Sequence, residues 1–235
     1  MAPVSHVNVL AVGDELMVTW RGGSETTAVF VSADPDDARV DVRAPDAPGR
    51  SEVPRTDERV YIHIFEPGHG FTVAAERRID FDGPDNFRDL GGYPTLDGAT
   101  TRWGAVYRSD RLDGLTDADH GLLDRLGVTT VFDLRSDEEV AHAPDRLPAG
   151  LARVHLPMSS DTTRRRSIFQ RIVDGDLEKY DHEAMAAGYL RMLDACSSHL
   201  AGIIEAVAAG EPVLVHCTAG KDRTGVAAMV LLGLA

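Results

Sequence analysis

Lysine is nearly missing from this chain. Lys179 and Lys221 are its only two lysines in 235 residues, and every other basic residue is arginine. Positive charge is scarce altogether: 24 Lys and Arg stand against 38 Asp and Glu, for a formal net charge of −14. That balance excludes nucleic acid as a partner, because such binding needs a basic face. It also weighs against standing attachment to anionic membranes. No uninterrupted apolar run is long enough to span a bilayer, and no apolar segment of signal-peptide type follows Met1. The expectations are therefore no stable membrane insertion and a cytoplasmic location, with secretion by a route without a cleaved signal left open. Two cysteines, Cys196 and Cys217, are too few for a disulfide framework and fit a reducing compartment. The nine histidines lack metal-ligand spacing, so neither metal nor cofactor is expected. His63, His69 and His120 read as surface residues. Apolar content is 43%, ordinary for a globular protein, and the length suits one large or two modest domains.

Residues 216–225 read HCTAGKDRTG. Before them, Val213-Leu214-Val215 is a short apolar run behind Pro212, the pattern of a buried strand. After them, Thr224 to Leu232 reads as a buried helix. A strand, a tight loop with Gly220 and a helix start make an anion cradle: loop N–H groups turn inward, and the helix N-terminus adds partial positive charge. Thr218, Ala219, Gly220, Lys221, Asp222 and Arg223 would line it, and Arg223 offers a planar fork for two phosphate oxygens. A field that binds phosphate also favours a thiolate, so Cys217 is expected to be ionised and nucleophilic. Thr224 is placed to hydrogen-bond the sulfur, and His216 to hold the loop through backbone rather than act as a base. Cys196, in an apparent helix from Met185, reads as a small core residue.

This loop resembles the phosphate-binding loop of the cysteine-dependent protein tyrosine phosphatase superfamily. Asn86-Phe87-Arg88-Asp89-Leu90-Gly91-Gly92 resembles the NFRDLGG motif of its bacterial tyrosine/dual-specificity phosphatase family, and Tyr107–Asp110 and Val131–Ser136 fit the same family in the same order. The resemblance covers about residues 80–235. It implies a phosphatase fold and phosphomonoester hydrolysis through a phosphocysteine. Phosphotyrosine protein is then the default substrate. Lys221-Asp222 resembles the loop of phosphoinositide phosphatases, which keeps dual-specificity and phosphoinositide substrates open. Rhodanese- and arsenate-reductase-like enzymes also place a cysteine in an anion loop, but the NFRDLGG segment and the Thr-Gly after Arg223 favour the phosphatase. The non-enzymatic rival is a catalytically silent phospho-binding module.

Such a phosphatase needs a general acid for the leaving oxygen. Asp161 is the first candidate that the resemblance implies: it falls just after the strand that ends at Leu156-Pro157, where phosphatases of this superfamily carry the general-acid loop. Asp222, inside the cradle, is the second. Asp89 is the third, with a salt bridge to Arg88 or Arg108 as its alternative role. Arg164-Arg165-Arg166 opens a helical segment that forms a lid in the resembled family; contact with acidic groups and a plain solvated helix start both remain open.

The fold expected is α/β: a largely parallel, phosphatase-type sheet flanked by helices over residues 81–235, preceded by a small all-β, sandwich-like domain over 1–80. In the first part Val7–Leu10, Leu16–Trp20, Thr27–Val31, Val60–Phe65 and Phe71–Ala74 read as strands, and 44–57 as a loop. Thr116–Asp119 reads as a capping box for a helix ending at Gly127, and Ser136–Glu139 as the cap of a second. Val128–Leu134 and Ala152–Leu156 read as strands. Residues 163–208 read as helical, with breaks at Asp174-Gly175 and near Ser197-Ser198. The sequence ends about three turns beyond Arg223, which leaves the apolar run Met229 to Leu232 to be covered by the first domain, by a homodimer partner or by chain beyond a fragment.

Overall fold

The computed structural model describes residues 3–37, 41–43, 45, 47–56, 58–159 and 182–235. Asp161, Arg164–Arg166 and the break at Asp174-Gly175 lie outside them. The chain forms two compact units: Met1–Ile79 with Asp89–Gly104, and Asp80–Arg88 with Ala105–Ala235.

The first unit is all β. Strands β1 (Ser5–Val12), β2 (Glu15–Arg21) and β5 (Arg50–Pro54) form one sheet, in the order β1-β2-β5. Strands β4 (Asp41–Arg43), β3 (Ala28–Ser32), β6 (Tyr61–Glu66) and β7 (Gly70–Ala75) form a second, in the order β4-β3-β6-β7. All pairs are antiparallel. Val9, Leu16, Val18, Trp20 and Val53 of the first sheet share one core cluster with Val29, Ile62, Ile64 and Ala74 of the second. Apolar inner faces packed on each other in this way make a sandwich.

Two sequence expectations change here. Residues 50–54 are a strand, not loop: Ser51 and Val53 face inward while Glu52 faces out, and Val53 pairs with Leu16. Arg50, Glu52 and Pro54 hid this period of two, and an edge strand tolerates Pro54 at its end. His63 is buried, not on the surface. It lies on β6, where every side chain but Phe65 is buried, with Nε2 against Ser32 Oγ at 3.2 Å and Asp34 O at 3.1 Å. Burial holds its ring below the ordinary histidine range.

The second unit is α/β. Its sheet runs β11-β10-β12-β9-β8, from β11 (Ala152–His155), β10 (Thr130–Asp133), β12 (Val213–His216), β9 (Val106–Ser109) and β8 (Arg88–Asp89). The pairs β11–β10, β10–β12 and β12–β9 are parallel. All four residues of β12 are buried, as expected of an inner strand of a parallel sheet. Helices α1 (Asp117–Arg125) and α2 (Asp137–His142) begin on complete capping boxes, Thr116 with Asp119 and Ser136 with Glu139. Helices α3 (His182–Ala195) and α4 (Ser197–Ala208) break at Cys196, which is buried. Helix α5 (Asp222–Leu234) follows β12 directly. Its Val226, Ala227 and Ala228 are core, whereas Met229 and Leu234 are exposed. No helix among the described residues is long and apolar enough to cross a membrane.

Candidate active site

The cradle sits where β12 ends and α5 begins. Cys217 follows the last residue of β12, is 2% exposed and is a free thiol. Three successive carbonyls of the loop are each turned to a donor. Thr218 O accepts from Arg111 N (3.3 Å), Ala219 O from Asn86 Nδ2 (3.1 Å) and Gly220 O from Arg108 Nη2 (2.5 Å). In a trans peptide the C=O and the following N–H point opposite ways. The N–H groups of Ala219, Gly220 and Lys221 therefore face the other side, the hollow of the loop. Gly220 has a positive φ of 62°, and a Cβ there would lie 2.7 Å from the backbone of Ser109 and Asp110. Only glycine combines that dihedral with that approach.

Asp110 holds the segment that carries Asn86, accepting from Asp85 N (3.3 Å) and Asn86 N (3.1 Å). The motif of residues 86–92 thus does two separate things. Asn86 serves the loop. Asp89, buried, accepts from Arg59 Nη1 (2.6 Å), Gly91 N (2.7 Å) and Gly104 N (2.9 Å) within the first unit. Its ion-pair partner is Arg59, rather than Arg88 or Arg108. Gly91 and Gly92 lie flat against Trp103, where a Cβ would come within 2.4 Å and 2.3 Å of it.

Arg223, on the first turn of α5, turns the Nη1–Nη2 end of its fork to Glu139 at 2.6 and 2.7 Å. Nη1 also reaches Leu134 O at 3.4 Å and Nη2 reaches Thr218 Oγ1 at 3.3 Å. A guanidinium has two bidentate edges. Glu139 takes one, which orients the Nε edge for a second anion. Glu139 simultaneously closes the capping box of α2 through Ser136 N (2.9 Å) and accepts from Thr218 Oγ1. Burial would raise its carboxyl, but Arg223, Thr218 and Ser136 outweigh burial and pull it down to about 2. Burial likewise opposes the charge of Arg223, and Glu139 and the Cys217 sulfur overcome it, so the guanidinium is held charged. In the sequence Glu139 reads only as a helix cap. The capping box was its one visible signal.

At the rim, Asp222 Oδ1 accepts from Lys221 Nζ (2.6 Å) and from the Tyr189 hydroxyl (2.5 Å). Burial acts against the Asp222 charge, but Lys221 and Tyr189 prevail and keep the carboxyl below its ordinary range. Nothing in the sequence spacing pointed to Tyr189, which reaches the loop from α3. Thr224 Oγ1 is buried and has no hydrogen-bond partner among the described residues.

Behind Cys217, His216 is fully buried beside an ion-pair network. Its Nε2 lies 3.3 Å from Asp145 Oδ2 and 3.7 Å from Asp133 Oδ1, ion-pair distances rather than aligned hydrogen bonds. Arg135 joins both carboxylates, at 2.8 Å to Asp133 and 2.6 Å to Asp145. Arg153 does the same at 2.6 and 3.2 Å. Asp133, Asp145 and His216 are close enough together to be cation ligands in type, but two guanidiniums already neutralise the two carboxylates. This network is structural.

Comparison with known proteins agrees with the geometry. The chain is 35% identical over 175 residues to the triple specificity protein phosphatase PtpB of Mycobacterium tuberculosis, a match covering 65% of this chain and 62% of that one. It is 30% identical over 164 residues to the putative tyrosine-protein phosphatase H16_A0669 of Cupriavidus necator, covering 68% and 59%. It is 35% identical over 141 residues to a tyrosine-protein phosphatase of Nostoc commune, covering 56% and 43%. The matches thus span about three fifths of the length of the first two relatives and less than half of the third. The sequence pattern of the tyrosine phosphatase family matches residues 79–235, the stretch that holds Asn86, Glu139, Cys217 and Arg223, and the chain belongs to that family.

Proposed function

We propose that this chain is a phosphomonoester hydrolase that works through a phosphocysteine, with phosphotyrosine proteins as its first substrate class. The observation that carries the reading is the loop itself: a buried free cysteine, carbonyls turned outward, and an arginine whose fork is braced by Glu139. The phosphate dianion binds the loop N–H groups and the Nε edge of Arg223. The Cys217 thiolate attacks phosphorus; the S–P bond forms as the P–O bond to the leaving group breaks. The equatorial oxygens gather charge that the same donors stabilise. The leaving oxygen takes a proton from a carboxylic acid. Water then cleaves the S–P bond, releasing inorganic phosphate and restoring the thiolate.

Asp161 is the proposed acid. Asp89 is buried in ion-paired form, and Asp222 is held ionised by two donors. Both are acceptors as they stand, whereas the acid must carry a proton. Lys221, exposed at the rim, supports a wider range that includes phosphoserine, phosphothreonine and phosphoinositides. The name of the mycobacterial relative, a triple specificity phosphatase, favours the same breadth. The cytoplasm is the proposed location, on the strength of two unpaired cysteines.

The test is phosphate release by wild type and Cys217→Ser from a phosphotyrosine peptide, a phosphoserine peptide and a set of phosphoinositides. Release from the tyrosine peptide that is lost in Cys217→Ser is the expected result. A folded wild type that binds vanadate but turns over none of the substrates would replace the enzyme with a phospho-binding module.

A further inference from the structure

Tyr189 has no part in the scheme above, yet its hydroxyl makes one of the two hydrogen bonds that hold the rim of the cradle. It stands on α3, a different element from the loop, and is only part-buried. A ring in that position needs no hydroxyl for its packing. The hydroxyl is spent on Asp222 Oδ1 at 2.5 Å, the same oxygen that accepts from Lys221 Nζ at 2.6 Å. Asp222 opens α5, so its carboxylate also sits at the positive end of that helix.

We propose that Tyr189 is a positioning residue for the phosphate loop: its hydroxyl holds the Asp222 carboxylate, and through it the Lys221 ammonium, at the mouth of the cradle. This rests on the phosphatase reading above, and it adds to that reading a residue outside the loop. Lys221 beside it, Tyr189 from α3 and Arg223 on the next position of α5 all favour the Asp222 carboxylate against burial. The Cys217 sulfur within the loop acts on the Lys221 ammonium and favours its charge. A donor shared between a carboxylate and a phenol shifts the two in opposite directions, since it stabilises charged Asp and neutral Tyr. That is the pattern here: the Tyr189 phenol is raised, chiefly by its bond to Asp222, and the Asp222 carboxyl is lowered. Asp222 cannot keep both donors in place unless α3 stays against the loop, so the contact also ties the position of α3 to the charge pattern that a substrate meets.

The experiment is Tyr189→Phe in the full chain, read in two ways. The first is the titration of the Asp222 carboxyl by carbon NMR, its signal assigned with Asp222→Asn. Its midpoint is expected to move up toward the ordinary carboxylate range in Tyr189→Phe. The second is the pH profile of kcat/KM on a phosphotyrosine peptide. Activity that depends on ionised Asp222 is expected to fall off at higher pH than in wild type, the loss setting in as the pH drops into the ordinary carboxylate range of about 4, with the two profiles parallel near neutrality. The reciprocal variant guards against misfolding: in Asp222→Asn the Tyr189 phenol, followed by ultraviolet absorbance, is expected to ionise at lower pH. An Asp222 titration unmoved in Tyr189→Phe overturns the proposal. Failure of the phosphatase reading would show differently, as a wild type that releases no phosphate while the Asp222 and Tyr189 titrations still respond to each other.

Discussion

Glu139 links two tasks that sequence alone presents as one. As the fourth residue of a Ser-x-x-Glu box it closes the start of α2, and the same carboxylate braces Arg223. Arginine in a loop is a flexible side chain, and a phosphate gains most from a fork already aimed. Glu139→Gln keeps the shape but removes the charge that holds Arg223. A fall of about ten- to a hundredfold in kcat/KM is expected, with inorganic phosphate binding correspondingly weaker. The same substitution has a pH signature. The Glu139 carboxyl lies at about 2 in the folded protein against an ordinary 4.5. A depressed carboxyl stabilises the fold above its unfolded value and loses that contribution as pH falls toward the folded one. Its side chain is 27% exposed, so solvent screening reduces the contribution to about 2 kcal/mol. Denaturant midpoints of wild type and Glu139→Gln should therefore differ fully at pH 7, converge below about 4.5 and meet near 2. A difference constant over that range would mean that Glu139 is not ionised against Arg223.

The two capping boxes offer a matched comparison between neighbouring elements. Thr116 caps α1 and Ser136 caps α2, each by accepting from the backbone N–H three residues on. Removing either hydroxyl costs about 1 kcal/mol by the general rule for caps. Their consequences for the site differ, because α1 contributes none of the loop contacts described above and α2 carries Glu139. Thr116→Ala should lower stability with unchanged kcat/KM, whereas Ser136→Ala should lower both, measured by chemical denaturation beside steady-state kinetics. Equal kinetic effects from the two variants would detach Glu139 from its helix start. These boxes were readable from the sequence because caps are local: four residues specify them. Strand β12, the tight loop after it and the start of α5 were readable for the same reason. What escaped depends on chain brought in from afar. Strand β5 is polar and proline-ended, and only its partner β2 makes its alternation meaningful. His63 is an ordinary histidine until β3 supplies Ser32. Asn86 is 133 residues from the carbonyl it holds, and Tyr189 is 33 from Asp222. The motif around Asn86 was visible, but which of its residues reaches the loop was not.

Charge is distributed very unevenly over this protein. A net −14 makes the surface repel itself, which opposes compactness. Added salt screens that repulsion, so wild type should gain stability between low and moderate ionic strength. The network behind Cys217 is the opposite case. Arg135, Asp133 and Asp145 have side chains no more than 1% exposed, and the sum of Arg135, Arg153, Asp133 and Asp145 is neutral. It joins β10, β11 and the residue that ends β12, so it fixes the strand end from which the loop departs. Asp145→Ala leaves the buried Arg135 and the part-exposed Arg153 against the one carboxylate of Asp133. Breaking a buried pair from one side costs about 3–5 kcal/mol. Ions do not reach that position, so this loss should be the same at low and high salt. The exposed pair Arg102–Asp36, with side chains 62% and 63% open to solvent, is the control: Asp36→Ala should cost less than about 1 kcal/mol, and that small cost should vanish in salt. Urea midpoints of the three proteins at two salt concentrations decide the matter. If the penalty for Asp145→Ala shrinks with salt as the Asp36 penalty does, the network is open to solvent and cannot be what holds the end of β12 beneath the cysteine.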